Sequence, residues 1–303
     1  MSETPALVAG MVTVVGAANA GKSSLINRML GEKVSIVSPV AQTTRNLVRG
    51  IHTETRGQIV FLDTPGVHQA SKALNQQMNK VARASTEGVD AVMLVMDRSE
   101  KPAIEVDGWM RRLARENNLP LLFVLNKCDQ PDRASAELRT MWTAIAAEKE
   151  CATVPEWHNV SAESGEGTEA LLTRLFEKMP AGPLLFPEDI VSDFPRKLAI
   201  ADIIREKYFL RLHQELPHSL AVWIERLDET DKGWTIEAHV YVRQNSQKGI
   251  VIGEKGRMMK SVRGEAASDI SKIYGVHVDL RLDIRVEKDW DKNFWILRKL
   301  GYA

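Results

Sequence analysis

Five short stretches carry residue types in an order that suits phosphate and purine chemistry. "GAANAGKSS" begins at Gly16, between the apolar run "MVTVV" and a helix-like run. It fits G-x-x-x-x-G-K-[ST] in the strand–loop–helix setting that the pattern requires. Gly16 and Gly21 let the backbone curl, so the N–H groups along Ala17, Ala18, Asn19 and Ala20 can face phosphate oxygens. The helix that follows adds the positive end of its dipole. Lys22 is expected to reach the β/γ-phosphates, and Ser23 to offer its hydroxyl to Mg²⁺.

"DTPG" at Asp63–Gly66 ends an apolar strand. Asp63 could hold Mg²⁺ through a water, and Gly66 could give its N–H to the γ-phosphate; Thr64 and Pro65 complete the turn. "TTR" at Thr43–Arg45 precedes another strand. A threonine there, Thr44 in preference to Thr43, could reach Mg²⁺ only while the γ-phosphate is present, which is the physical basis of a switch. The expected catalytic set is therefore Lys22, Thr44, Asp63 and Gly66, with Ser23, Thr44 and Asp63 at the metal. Val67 follows Gly66, where many GTPases carry a Gln that orients the attacking water. Phosphoryl transfer rests on positioning and charge stabilisation, so Val67 predicts slow intrinsic hydrolysis, with room for a partner to accelerate the step.

"NKCD" at Asn126–Asp129 selects the base. The Asp129 carboxylate can accept from guanine N1–H and the 2-amino group together, whereas adenine would leave it unpaired; such sites discriminate by ~10⁴–10⁵. The Lys127 stem can lie across the base, Asn126 can tie the loop to the glycine-rich one, and Cys128 completes the stretch. "SAE" at Ser161–Glu163 can bring the Ala162 N–H to guanine O6. Singly, the last two patterns are weak. All five in order, in loops that would share one edge of a sheet, predict a guanine nucleotide site for GTP/GDP with Mg²⁺.

The elements that would position these loops are legible as short apolar runs alternating with helical ones. Strands are predicted at Met11–Val15, Leu47–His52, Gln58–Leu62, Ala91–Met96, Leu121–Leu125 and Thr153–Val160. Helices are predicted near Lys22–Leu30, Ala73–Thr86, Ile104–Glu116, Arg133–Lys149 and Thr168–Lys178. This alternation implies an α/β doubly wound domain over residues 1–180, with a hairpin at Thr55–Gly57. Pro180, Pro183, Pro187 and Pro195 then mark 181–196 as a linker. Residues 197–303 change order: helix Lys197–Gln214, strands Leu220–Leu227 and Trp234–Val242, a glycine-rich turn, helix Arg257–Tyr274, strand Val276–Val286 and a terminal helix near Asp289–Leu300. That is a small α+β domain.

"VIGEKGR" at Val251–Arg257 holds G-x-x-G as Gly253, Glu254, Lys255 and Gly256. Lys248, Arg257, Lys260 and Arg263 surround it, and Arg243–Arg263 holds six basic residues against one acid. Such a loop lets the backbone approach a sugar-phosphate strand and clamp about four nucleotides, as in type II KH domains. Trp290, Phe294 and Trp295, at helical spacing, are expected to pack the last helix onto the sheet.

Bulk properties agree with a two-domain soluble protein. Its 303 residues suit two domains of about 150, and 40 Lys+Arg against 40 Asp+Glu predict no polyanion partner from net charge. Cys128 and Cys151 lack metal-ligand spacing and fit a reducing cytosol. The opening "MSETPALVAG" lacks a basic n-region, so no signal peptide is expected, and no apolar run approaches the ~20 residues of a membrane span.

The chain as a whole resembles the Era GTPases, bacterial ribosome-assembly factors. The resemblance rests on "QTTRN", "GIHTE", "DTPGVH", "FPEDIVSDFP", "IIREKYF", "ELPHS", "VIGEKG" and "LRKLGY", in addition to the joined P-loop and G-x-x-G patterns. It implies binding of 16S rRNA near its 3′ end, a role in 30S subunit maturation, and coupling of RNA and nucleotide states. It also implies peripheral association with the inner face of the cell membrane, without DNA binding; the expected protein is a cytoplasmic monomer. Ala17, Ala18 and Ala20 depart from the family's usual Arg-Pro pair and Val. Asn19 resembles the Asn that holds K⁺ in cation-dependent GTPases of this class, where the ion could take the place of an arginine finger; the alternative is a polar loop residue that satisfies local backbone groups. A rival reading is an RNA-binding scaffold that binds GTP without significant turnover.

Overall fold

In a computed structural model, residues 7–40, 43–66, 73–115, 119–214 and 216–302 are described. Val67, Gln42 and Glu215, which belong to stretches singled out above, lie outside them. The chain divides into two compact units.

The first is built around a six-stranded sheet. Its strands are β1 (Val8–Val15), β2 (Val48–Glu54), β3 (Gly57–Asp63), β4 (Ala91–Asp97), β5 (Leu121–Asn126) and β6 (Glu156–Asn159), in the order β2-β3-β1-β4-β5-β6. Only β2 runs antiparallel to its neighbour, β3. Helices α1 (Lys22–Leu30), α2 (Ala73–Ala84), α3 (Ile104–Leu113), α4 (Ser135–Glu148) and α5 (Thr168–Lys178) make the connections. Strands β3 and β5 are buried throughout, as runs such as "VFL" and "LLFVL" require when both sheet faces are covered. One face packs Leu94, Phe123 and Trp109, the other Val14, Ile26 and Leu171.

The proline-rich run behaves differently from a free linker. The Gln58 side chain, fully buried in β3, accepts from the N–H groups of Leu185 and Phe186 (both 2.9 Å) and donates to Phe186 O (3.0 Å). Ile51 N–H donates to Val191 O at 2.8 Å along the open edge of β2. Prolines stop regular structure, yet the remaining backbone groups still find partners, so the run up to Asp193 belongs to the first unit. Among the described residues no helix is long and apolar enough to cross a membrane.

The second unit holds Phe194–Ala303, together with Ile36–Thr43 and the described part of Ala70–Gln77. Helix α6 (Arg196–Phe209) leads into a three-stranded sheet of β7 (Ala221–Thr230), β8 (Gly233–Val242) and β9 (Val278–Val286). Strand β8 is central, antiparallel to β7 and parallel to β9. Between β8 and β9 lie α7 (Asn245–Ile252) and α8 (Arg257–Tyr274). The sequence pattern predicts only a glycine-rich turn before Arg257; the structure forms α7 there although "NSQKGIVI" mixes a glycine with β-branched residues of low helix propensity. Helix α6 ends at Phe209 rather than Gln214, and Gln214 has a positive φ of 57°.

The short helix α9 (Phe294–Lys299) corrects one expectation. Trp290 is fully buried and donates from Nε1 to Ser219 O (2.9 Å), but Phe294 and Trp295 are 58% and 72% exposed. Leu297 and Leu300, three residues apart, take the buried face, and the Asn293 side chain caps the helix at the N–H groups of Trp295 and Ile296. The two aromatic rings therefore project outward.

Candidate nucleotide and RNA sites

Parallel strands put their C-terminal ends on one edge, which is where open α/β sheets bind ligands. Strand β1 delivers the Gly16 loop there, β3 delivers Asp63–Gly66, β5 delivers Asn126–Asp129, and β6 leads to Ser161–Glu163. Gly21 has φ 89° and forms the start of α1 without a side-chain cap, leaving the first helical N–H groups to a ligand. A Cβ built there would stand 2.2 Å from Asn126 Nδ2, so glycine is required by both conformation and space.

Asn126 is 1% exposed and bridges three loops. Its Nδ2 donates to Ala20 O (2.8 Å), and its Oδ1 accepts from Ala162 N–H (3.0 Å). The Ala162 N–H, expected to meet guanine O6, is thus engaged by Asn126. Cys128 N–H donates to Val160 O (3.0 Å), and Thr64 Oγ1 to Val14 O (2.7 Å). Gly66 abuts Ala18 of the glycine-rich loop. Asp129 and Asn19 are exposed at the rim, and Asn19 has a left-handed backbone (φ 59°).

Ser23 Oγ lies 2.9 Å from Thr44 Oγ1 and donates to Asp63 Oδ2 at 2.7 Å. Thr43 Oγ1 instead pairs with Ser38 Oγ (2.7 Å) and Val40 O (2.6 Å). The other Asp63 oxygen, Oδ1, is buried and makes no hydrogen bond. Two hydroxyls and a carboxylate with an unsatisfied oxygen fit a hard, oxygen-seeking cation such as Mg²⁺. Burial pushes the Asp63 carboxyl upward, against the Ser23 hydrogen bond, which favours the charged form. Lys22 Nζ, also buried, donates to Gly16 O (3.1 Å) and Ala17 O (2.8 Å). Burial lowers it to about 8, with Asp63 opposing the shift. A polyanion beside this ammonium would favour its charged form.

Three contributors carried no signal in the sequence. Arg28 Nε donates to Ala162 O (3.0 Å), and the same guanidinium holds Glu163 O, which fixes the Ser161–Glu163 loop to α1. Asp97 pairs with Lys127, and Ser99 donates to Asp97 from N (2.8 Å) and Oγ (2.6 Å). Burial raises the Asp97 carboxyl, but the Lys127 and Ser99 bonds outweigh it and hold it below the usual range. A lone arginine, aspartate or serine at a loop is too common to single out by type.

In the second unit, Gly253 has φ 74°, and a Cβ there would lie 2.8 Å from the Met258 Cβ; the turn admits only glycine. Lys255 adopts φ 50°, a left-handed conformation uncommon for a side chain. Helix α8 buries Val262, Ala266 and Ile270, so Arg257, Lys260 and Arg263 are exposed at a spacing of three. Glu254 and Lys255 are exposed and Lys248 is half-buried. Arg257 pairs with Glu254, which tempers its charge.

Residues 11–127 match a family described as 50S ribosome-binding GTPase, and residues 215–291 match the KH domain. The GTPase Era of Geobacter metallireducens is 38% identical over 305 residues, covering all of both chains. Two solved structures superpose with a TM-score of 0.89 at 32% identity. One is Aquifex aeolicus Era, as a variant bound to GDP·AlF4⁻, covering 98% of this chain and 100% of that one. The other is Era in complex with MgGDPNP and nucleotides 1506–1542 of 16S ribosomal RNA, covering 98% and 99%. Identity of 38% from end to end, across a P-loop unit and a KH unit, makes this chain a member of the GTPase Era family and a GTPase.

Proposed function

We propose that the protein is a Mg²⁺-dependent GTP switch that grips the 3′ region of 16S rRNA through its KH unit and serves 30S subunit maturation. The observation that carries the switch is the convergence of Ser23, Thr44 and Asp63 beside Lys22, with Asp63 Oδ1 left unsatisfied. Ser23 and Thr44 would ligate the ion directly and Asp63 through water, while Lys22 and the Gly66 N–H hold the phosphates. An ion held there would supply charge neutralisation to the phosphate oxygens. Thr44 can reach the ion only when its loop is closed, so loss of the γ-phosphate releases that loop. Asp129 reads guanine.

Rapid turnover lacks a water-orienting side chain at Val67, so intrinsic hydrolysis is slow. K⁺ held by the exposed Asn19 amide would supply charge stabilisation. The RNA reading draws on the glycine-framed loop and the exposed Lys255, Lys260 and Arg263, and on the rRNA complex of the similar Era structure. The site of action is the cytoplasm, with peripheral association at the membrane's inner face, and the protein acts as a monomer. One experiment tests the scheme: phosphate release from GTP with and without 3′-terminal 16S rRNA, in K⁺ and in Na⁺. Turnover that is faster with RNA, higher in K⁺, and abolished by Lys22→Met or by chelating Mg²⁺ is expected. RNA binding with no phosphate release under any condition would favour the scaffold reading.

A further inference from the structure

Asp97 closes β4 directly beside Asn126 of β5. One carboxylate oxygen takes two hydrogen bonds from Ser99, at 2.8 Å and 2.6 Å, which leaves the other turned to the Lys127 ammonium. Both side chains are mostly shielded, 18% exposed for Asp97 and 30% for Lys127. At its other end Lys127 has no freedom either. Its backbone is left-handed (φ 65°), and its neighbours are pinned, Asn126 to Ala20 and Ala162, and Cys128 to Val160.

We propose that Asp97 is a positioning residue for the purine base: it stretches the Lys127 stem into a fixed apolar wall against which the guanine ring packs. A lysine stem buries its methylenes readily while its charged head seeks a partner. Asp97 supplies that partner, so the stem need not be ordered when nucleotide arrives. The wall contacts the ring face and makes no hydrogen bond to the ring edge. It therefore sets affinity for a purine base without choosing between guanine and hypoxanthine, and it leaves the phosphate end untouched.

These consequences separate a positioning role from a general structural one. Competition against a fluorescent GDP analogue, on the full chain in Mg²⁺ buffer, reads the affinity for GDP, IDP and inorganic tripolyphosphate. Asp97→Ala should weaken GDP and IDP equally, each on the order of tenfold, as expected for losing a partly exposed charge-assisted hydrogen bond. Tripolyphosphate should be held within about twofold of wild type. Lys127→Met should bring its own loss, and adding Asp97→Ala to it should cost no more than about twofold further, because the shared contact is already gone. Should Asp97→Ala fail to fold, Asp97→Asn, which keeps an acceptor for Ser99, carries the same cycle.

The inference fails if the Asp97→Ala loss persists in full in the Lys127→Met background. A parallel loss for tripolyphosphate, or no loss for GDP, would overturn it equally. It rests on the nucleotide reading of this site: wild-type protein that binds no GDP would overturn both, whereas normal wild-type binding with a persistent Asp97→Ala loss overturns this one alone.

Discussion

Replacing Asn126 with Ala tests whether three loops act as one site. The side chain is 1% exposed, and its two bonds, to Ala20 O at 2.8 Å and from Ala162 N–H at 3.0 Å, join residues far apart in the chain. Truncation orphans one acceptor and one donor. Each orphaned buried group costs ~1–3 kcal/mol, and water entering the vacated volume would recover part of that. A total of about 2–4 kcal/mol results. If it falls on the bound state, where the loops are needed in register, nucleotide affinity drops by about 30- to 1000-fold. The assay is release of a fluorescent GDP analogue chased with unlabelled GDP, where most of the change should appear as faster dissociation. Asn126→Asp keeps the acceptor for Ala162 N–H but turns a carboxylate oxygen toward Ala20 O, so it should be no better than Ala. Gly21→Ala would push a Cβ to 2.2 Å from Asn126 Nδ2, so its loss and that of Asn126→Ala should be less than additive. Asn126→Ala within about threefold of wild type, or a fully active Asn126→Asp, would refute the reasoning.

Gln58→Leu should destabilise the first unit by about 2–3 kcal/mol, because it strands the Leu185 and Phe186 N–H groups that bond its amide. Urea unfolding reads the stability, and limited proteolysis should then cut near residues 184–193. Lys255→Gly removes a left-handed lysine (φ 50°) and should leave stability unchanged or raise it by up to ~1 kcal/mol. The same change should weaken RNA binding and reduce its salt slope by about one, as read in a titration at several salt concentrations.

The loops of the nucleotide site were legible because their chemistry is local. A phosphate loop needs its glycines, lysine and serine within a few residues, and "GAANAGKSS" supplies them at the end of an apolar strand. The same holds for α1 and α5, whose bounds the hydrophobic period marks at Lys22–Leu30 and Thr168–Lys178. Local pattern failed where neighbours decide the outcome. Helix α7 forms in a sequence of poor helix formers, with Val251 buried in the second unit's core. The proline-rich run docks on β2 and β3 because Gln58 and Ile51 offer it partners.

By itself, then, the sequence determined the reaction class, a GTPase followed by a KH unit, and it proposes which loops hold phosphate, metal and base. Those assignments depend on residue types at short spacing and on strand–helix alternation. Only the tertiary structure decided which residues meet: that Thr44 and not Thr43 stands beside Ser23, that the Ala162 N–H serves Asn126, and that Asp97 holds Lys127. It also decided that Phe294 and Trp295 face outward while Trp290 is enclosed. The reason is physical. Strand order in a sheet brings together groups some thirty to a hundred residues apart, and no local propensity encodes that order.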